Sequence, residues 1–182
     1  MERPTQLASQ ILAAFKKRNQ RKLRKLNDAV LRVTALQRDS THFSLAIFSY
    51  ILSKIVSKPR YLRPECNKCL EMIESSLEEL VKKMDTATDA EMLSMFSKLE
   101  NAVGCLEQTD ARFVVDLVTK GKLKMAATFY AQGVSLGVAA DMTGLDKQEI
   151  LDYAGETMMF DRLKDEKSIA ERMKMARQLL SD

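Results

Sequence analysis

The chain has 182 residues, enough for one ordinary domain or two small ones. Hydrophobic residues make up 46% and charged residues 30%, with only 6 Gly and 3 Pro, which excludes both a disordered chain and a turn-rich all-β sandwich. A single histidine, His42, excludes a multi-histidine metal site and a paired-histidine acid/base centre. The net charge of +4 hides a division: residues 1–63 hold 14 Lys and Arg against 3 Asp and Glu, and residues 64–182 hold 15 against 22. Such a chain either carries a basic front end toward a polyanion or an acidic surface, or folds its two parts together so that they neutralise each other.

Helical periodicity runs the length of the sequence. Thr5 to Gln37 has neither Gly nor Pro, and Leu12, Phe15, Leu23, Leu26, Val30 and Val33 share one side of a 3.6-residue spiral. One long helix, or two with a break near Asn19, fits. A second helix is expected over about Ser40 to Ser57, with Phe43, Ile47, Tyr50, Ile51 and Ile55 inward. Its apolar stretch, Phe43 to Val56, is interrupted by Ser44, Ser49, Ser53 and Lys54 and is too short and polar to span a membrane. Pro59 and Pro64 bracket a connection, and a third helix starts near Pro64 with Leu70, Ile73, Leu77, Leu80 and Val81 inward. Thr88-Asp89-Ala90-Glu91 is a capping box that opens a fourth, carrying Leu93, Phe96, Leu99, Val103 and Leu106, with Gly104 a weak point. Thr109 is placed to cap a fifth helix ending at Gly121, and Lys122 to Gln132 forms the next. An irregular piece from Gly155 to about Glu166, anchored by Met158, Met159 and Phe160, leads to a final helix opened by Ser168-Ile169-Ala170-Glu171. The fold class is all-α: a helical bundle over residues 1–120, then a helix-turn-helix unit and a docking helix over 121–182.

That unit rests on residues at set offsets. Ser135 caps a short helix; Ala140 is small where two helices cross; Gly144 supplies a left-handed turn; Leu145 plugs it; Asp146-Lys147-Gln148-Glu149 opens the second helix, with Ile150 and Tyr153 facing the first. Tyr130-Ala131-Gln132-Gly133-Val134-Ser135-Leu136-Gly137-Val138-Ala139-Ala140-Asp141-Met142-Thr143-Gly144-Leu145 resembles the corresponding segment of small prokaryotic helix-turn-helix proteins, antitoxin-type ones included. It departs from their pattern in the spacing of Gly133 and Ser135, which are two apart. The resemblance covers residues 122–155 and implies a helix-turn-helix fold with regulatory or antitoxin-like partners. A recognition helix would present its first residues to base edges. Here those include Asp146, Glu149 and Asp152, which oppose a phosphate backbone and suit docking of a basic protein partner better.

The strongest signal for a ligand lies at the front. Residues 16–25 hold seven bases and no acid. Lys17, Arg18, Arg21, Lys22, Arg24, Lys25 and Arg32 are the candidate nucleic-acid-binding residues. Arg18, Arg21, Lys22, Lys25 and Arg32 form a stripe about 100° wide on a helix, suited to phosphates along a backbone. No aromatic residue interrupts the run, so base stacking is not implied. The competing account is a solvated face, or pairing with the acids at Glu71, Glu74, Glu78 and Glu79.

Three cysteines, Cys66, Cys69 and Cys105, cannot all pair within one chain, and the first fifteen residues lack a signal-type apolar core; a reducing, cytoplasmic setting is the expectation. Cys66 and Cys69 have the spacing of a zinc half-site, but a full site needs Cys105 and His42, which nothing in the sequence pairs with them, so two buried thiols and no metal are expected. Eleven methionines read as core filling. No phosphate loop, nucleophile motif or carboxylate pair stands out, which points to a non-enzymatic protein without a cofactor. The favoured function is nucleic-acid binding (DNA or RNA) or regulation through the basic helix; the alternative is an adaptor or antitoxin-like component using residues 121–182.

Overall fold

In the computed structural model, residues 3–37, 40–108 and 117–159 are described, together with Met173 and Arg177. The fold is all-α, and no strand occurs among the described residues. Eight α-helices are described: α1 (Pro4–Lys16), α2 (Gln20–Gln37), α3 (Ser40–Val56), α4 (Asn67–Lys83), α5 (Asp89–Gln108), α6 (Leu117–Ala131), α7 (Leu136–Thr143) and α8 (Lys147–Glu156). None is long and apolar enough to cross a membrane.

Local chemistry accounts for the boundaries. The front segment breaks where the sequence allowed it: Arg18 takes a left-handed φ of 50°, and the Asn19 side chain then accepts the Lys22 N–H at 3.0 Å, capping α2. Pro59–Leu62 and Pro64–Cys66 each close as a single 3-10 turn, so α4 begins at Asn67 instead of at Pro64. At the start of α5 the Thr88 N–H donates to Glu91 at 2.8 Å and the Glu91 N–H donates back to the Thr88 hydroxyl at 3.4 Å, the expected capping box. The bond from the Thr88 N–H, joined by one that the Thr88 hydroxyl donates to the same carboxylate at 2.9 Å, holds the Glu91 carboxyl below the usual carboxylate range.

α3 sits at the centre. Twelve of its seventeen residues are buried, which takes the burial right around the helix. It packs on α1, α2 and α6. Its two buried serines donate within the helix, the Ser49 hydroxyl to the Ala46 carbonyl at 2.9 Å and the Ser53 hydroxyl to the Tyr50 carbonyl at 2.7 Å. Asn27 of α2 is buried and donates from Nδ2 to the Ala46 carbonyl at 2.7 Å and to the Ser49 hydroxyl at 3.0 Å, which fixes the register of α2 on α3. α4 and α5 pair beside α1, and Phe96 of α5 stacks on Phe48 of α3, with ring centroids 5.7 Å apart.

Three expectations are corrected. Gly121 does not end a helix; it lies inside α6, which runs unbroken from Leu117 to Ala131. It is needed there for close approach: a Cβ at Gly121 would stand 2.8 Å from Ile51 of α3. The expected division at 120/121 therefore falls within one helix. Leu93 is 70% exposed, and Met92 and Met95 are buried in its place. At about 100° per residue Leu93 lies roughly 60° past Phe96, outside the arc shared with Leu99, Val103 and Leu106. The cysteines are not all reduced: Cys69 of α4 and Cys105 of α5 form a disulfide, with Cα atoms 5.6 Å apart, and Cys66 is free and buried. The helix cap expected at Thr109 lies outside the described residues, as does the final helix from Ser168 apart from Met173 and Arg177, which are helical. Met159 is buried, as an anchor should be, while Met158 is exposed and Phe160 is not among the described residues.

α6 also carries the last two helices. One face joins the main core through Leu117, Met125 and Phe129. Ala126 packs with Ala139, Ala140 and Ile150, and Ala127 with Ala154 and Met159. Only small side chains on α6 let α7 and α8 come this close.

Two measurements follow. Gly121→Val forces atoms into Ile51 and should lower stability by about 1–3 kcal/mol, whereas Gly104→Ala, with nothing within 4 Å of its Cβ, should raise it by up to about 1 kcal/mol; thermal melts of the two variants separate these signs. The disulfide closes a loop of 36 residues, so a reductant should lower the urea-derived stability by about 2–4 kcal/mol. Thiol titration of the denatured, unreduced chain should find one reactive cysteine.

Candidate nucleic-acid interface

Helical geometry sorts the residues of α2 by direction. Leu23, Leu26, Asn27, Val30 and Thr34 turn inward and are buried. Arg21, Arg32, Lys25 and Lys22 then span an arc of roughly 100° on the opposite side, with Arg24 about 60° beyond Arg21. Lys17 is the C-cap of α1. All six side chains are exposed, and among the described residues none forms an ion pair with a carboxylate.

The rest of the basic run behaves differently. Lys16 pairs with Glu78 of α4 at 2.5 Å and Arg18 with Glu74 at 3.0 Å. The Lys16 ammonium, chiefly through its hydrogen bond, holds the Glu78 carboxyl below its usual range, and Glu78 raises Lys16 in return. Arg18 is tied on three sides. Its guanidinium also donates to the Phe15 carbonyl at 3.2 Å and lies 4.8 Å from the centroid of the Phe15 ring. It belongs to the turn between α1 and α2 and stands outside the α2 stripe. Glu79 is taken by Lys83 and Lys98. Neutralisation between the two parts of the chain thus takes up Lys16 and Arg18 and leaves the α2 face open.

Beside that face, α1 and α2 enclose a surface groove of about 530 Å³, with Arg21, Lys22 and Lys25 on its rim, Gln10 and Asn19 at its edge, and Leu26 and Ala29 beneath. Cations on the rim of a low-dielectric channel concentrate positive potential along it. The sequence had indicated the stripe; the groove depends on how α1 folds back at Arg18, which periodicity does not reveal.

In α7 and α8 the chemistry is local. The Ser135 hydroxyl accepts the Val138 N–H at 3.3 Å, and Gly144 has a φ of 68°. Asp146 accepts the Gln148 N–H at 2.7 Å, and Glu149 accepts the Asp146 N–H at 3.4 Å, so both carboxylates are engaged in capping α8. Asp152 accepts from the Gln148 side chain at 2.8 Å. All three are exposed, on the outer side of α8. Ile150 is buried against Ala139 and Ala140, and Tyr153 is half-buried beside Ala127 and Ala154. Lys122, upstream on α6, pairs with Glu100 at 2.9 Å.

The four side chains weighed for zinc do not form a site here. Cys69 and Cys105 are bonded to each other, and no cluster of three or more His, Cys, Asp or Glu is placed to hold a metal ion among the described residues. No protein-family model, curated protein or solved structure matches the chain.

The division of the basic run can be checked directly. Arg18→Ala removes the Glu74 pair, the carbonyl bond and the ring contact together, and should lower stability by about 1 kcal/mol. Lys22→Ala, in contrast, should leave the melting temperature within a degree or so of the parent by the surface-substitution rule.

Proposed function

We propose that the protein is a non-enzymatic nucleic-acid-binding protein whose α2 face contacts a phosphate backbone. The observation that carries this reading is the contrast within one run of bases: Lys16 and Arg18 are paired with α4, while Lys17, Arg21, Lys22, Arg24, Lys25 and Arg32 are exposed without a described carboxylate partner. Cations held at one-turn intervals on a rigid helix, with a groove alongside, suit a regular polyanion and release its counterions on binding. Without an aromatic residue in the run, the contact is to backbone and shape and not to stacked bases.

The second reading, an adaptor or antitoxin-like component that docks a basic partner through Asp146, Glu149 and Asp152, has less to stand on. Two of those carboxylates are engaged at the N-terminus of their own helix. Reversing Asp146 would weaken α8 whether or not a partner exists.

Fluorescence anisotropy with duplex DNA and with structured RNA, across a salt series, tests the first reading. Affinity should fall steeply with salt, and Arg21→Glu combined with Lys25→Glu should reduce the log–log salt slope by about 2, near 0.9 per phosphate contact on B-form DNA. The double variant should melt like the parent. Absence of binding to either nucleic acid at low salt would exclude the reading.

A further inference from the structure

Neutral hydrogen-bonding groups lie beside the cationic groove. Gln10 of α1 lines that groove together with Arg21, Lys22 and Lys25. It also lines a shallow depression of about 520 Å³ on the surface of α1, where Thr5, Gln6 and Ser9 are its neighbours. The first lining carries three cations, and the second carries no charged residue. Gln6, Ser9 and Gln10 stand at i, i+3 and i+4, so they share one side of their helix. Thr5 is already engaged, because its hydroxyl donates to Asp85, and the Gln6 side-chain oxygen accepts the Arg3 N–H at 3.2 Å. Among the described residues the Ser9 hydroxyl and the Gln10 amide have no hydrogen-bond partner. Across Gln10 the surface therefore passes from a row of positive charge to a row of neutral donors and acceptors.

We propose that the polyanion is double-stranded RNA, with its phosphates on the cations of α2 and its 2′-hydroxyls on Ser9 and Gln10; this rests on the backbone reading above and names its ligand. Phosphates call for cations, and a ligand that offered phosphates alone would leave the neutral row of α1 without a bond to make. A 2′-hydroxyl both donates and accepts, as do a serine hydroxyl and a carboxamide, so the two sets pair in either direction. DNA carries only hydrogen at that position. An A-form duplex displays its 2′-hydroxyls along a wide, shallow minor groove flanked by phosphates, which a charged row beside a neutral row can follow. Its bases stay stacked in a deep major groove beyond the reach of side chains. Recognition of a single strand instead calls for aromatic rings under splayed bases, and no aromatic residue lines either depression. Leu26 and Ala29, beneath the cations, offer apolar contact to the ribose carbons.

Fluorescence anisotropy at low salt with three duplexes of one length and sequence tests this: RNA, DNA, and RNA bearing 2′-fluoro in place of every 2′-hydroxyl, which keeps the A-form and the phosphates and removes the hydroxyl. RNA should bind more tightly than DNA by at least about tenfold, and the 2′-fluoro duplex should lose at least about threefold against RNA, the worth of an ordinary hydrogen bond. Gln10→Ala should weaken RNA by about threefold and leave the 2′-fluoro and DNA affinities where they were. Ser9→Ala puts a better helix former at an exposed position, and it reads the same row if Gln10→Ala fails to fold. Equal affinity for RNA and DNA, or preference for DNA, with both lost in Arg21→Glu combined with Lys25→Glu, overturns the RNA assignment and leaves the backbone reading standing. A preference for RNA that survives the 2′-fluoro change, or that neither variant diminishes, overturns it too. Failure of all three duplexes to bind removes the backbone reading and this one with it.

Discussion

The fold depends on burying α3 from every side. An all-round apolar helix has no stable place on a surface, so its neighbours must wrap it, and their own faces are set by that demand. α2 turns Leu23, Leu26 and Val30 toward it and must turn its bases outward. Asn27, bonded to the Ala46 carbonyl and to Ser49, fixes the rotation of α2, because any other setting would leave a buried amide without partners. The direction of the cationic stripe is thus a by-product of core packing and needs no interaction of its own.

Charge is then divided by reach. α4 lies along α1 and supplies Glu74 and Glu78 where the chain turns, so the bases at that corner serve the fold. α2 continues past the end of those acids. The sequence asymmetry between residues 1–63 and 64–182 offered two outcomes, internal neutralisation or an open basic face. Both occur, at different residues of one run. Pairs this exposed contribute little stability individually; the three-way anchoring of Arg18 matters because it also stabilises an uncommon backbone turn.

Most of the helices were legible in the amino-acid pattern because each signal is local: the Thr88–Glu91 and Asp146–Glu149 capping boxes, the Asn19 break, the left-handed Gly144. Where the reading went astray, the deciding contact was distant in sequence. Gly121 looks like a terminator until Ile51, seventy residues earlier, is found against it. Leu93 reads as core until the arc chosen by Met92 and Met95 excludes it. The joining of Cys69 to Cys105 depends on how α4 and α5 align, which cysteine spacing leaves open. The stripe of Arg21, Lys22, Lys25 and Arg32 was visible in the sequence, although Arg18, which the turn and Glu74 take up, was counted into it. The groove between α1 and α2 was not, because it depends on α1 folding back at Arg18.

The continuity of α6 has a consequence for how the molecule yields. One helix supplies Phe129 to the main core and Ala126 and Ala127 to the packing of α7 and α8. The two regions therefore share a structural beam and not a linker, and neither can loosen at this point without stripping a face from the other. Opening becomes a collective event, and the central amides of α6 belong to the slowest class of hydrogen exchange, released only when the whole bundle comes apart.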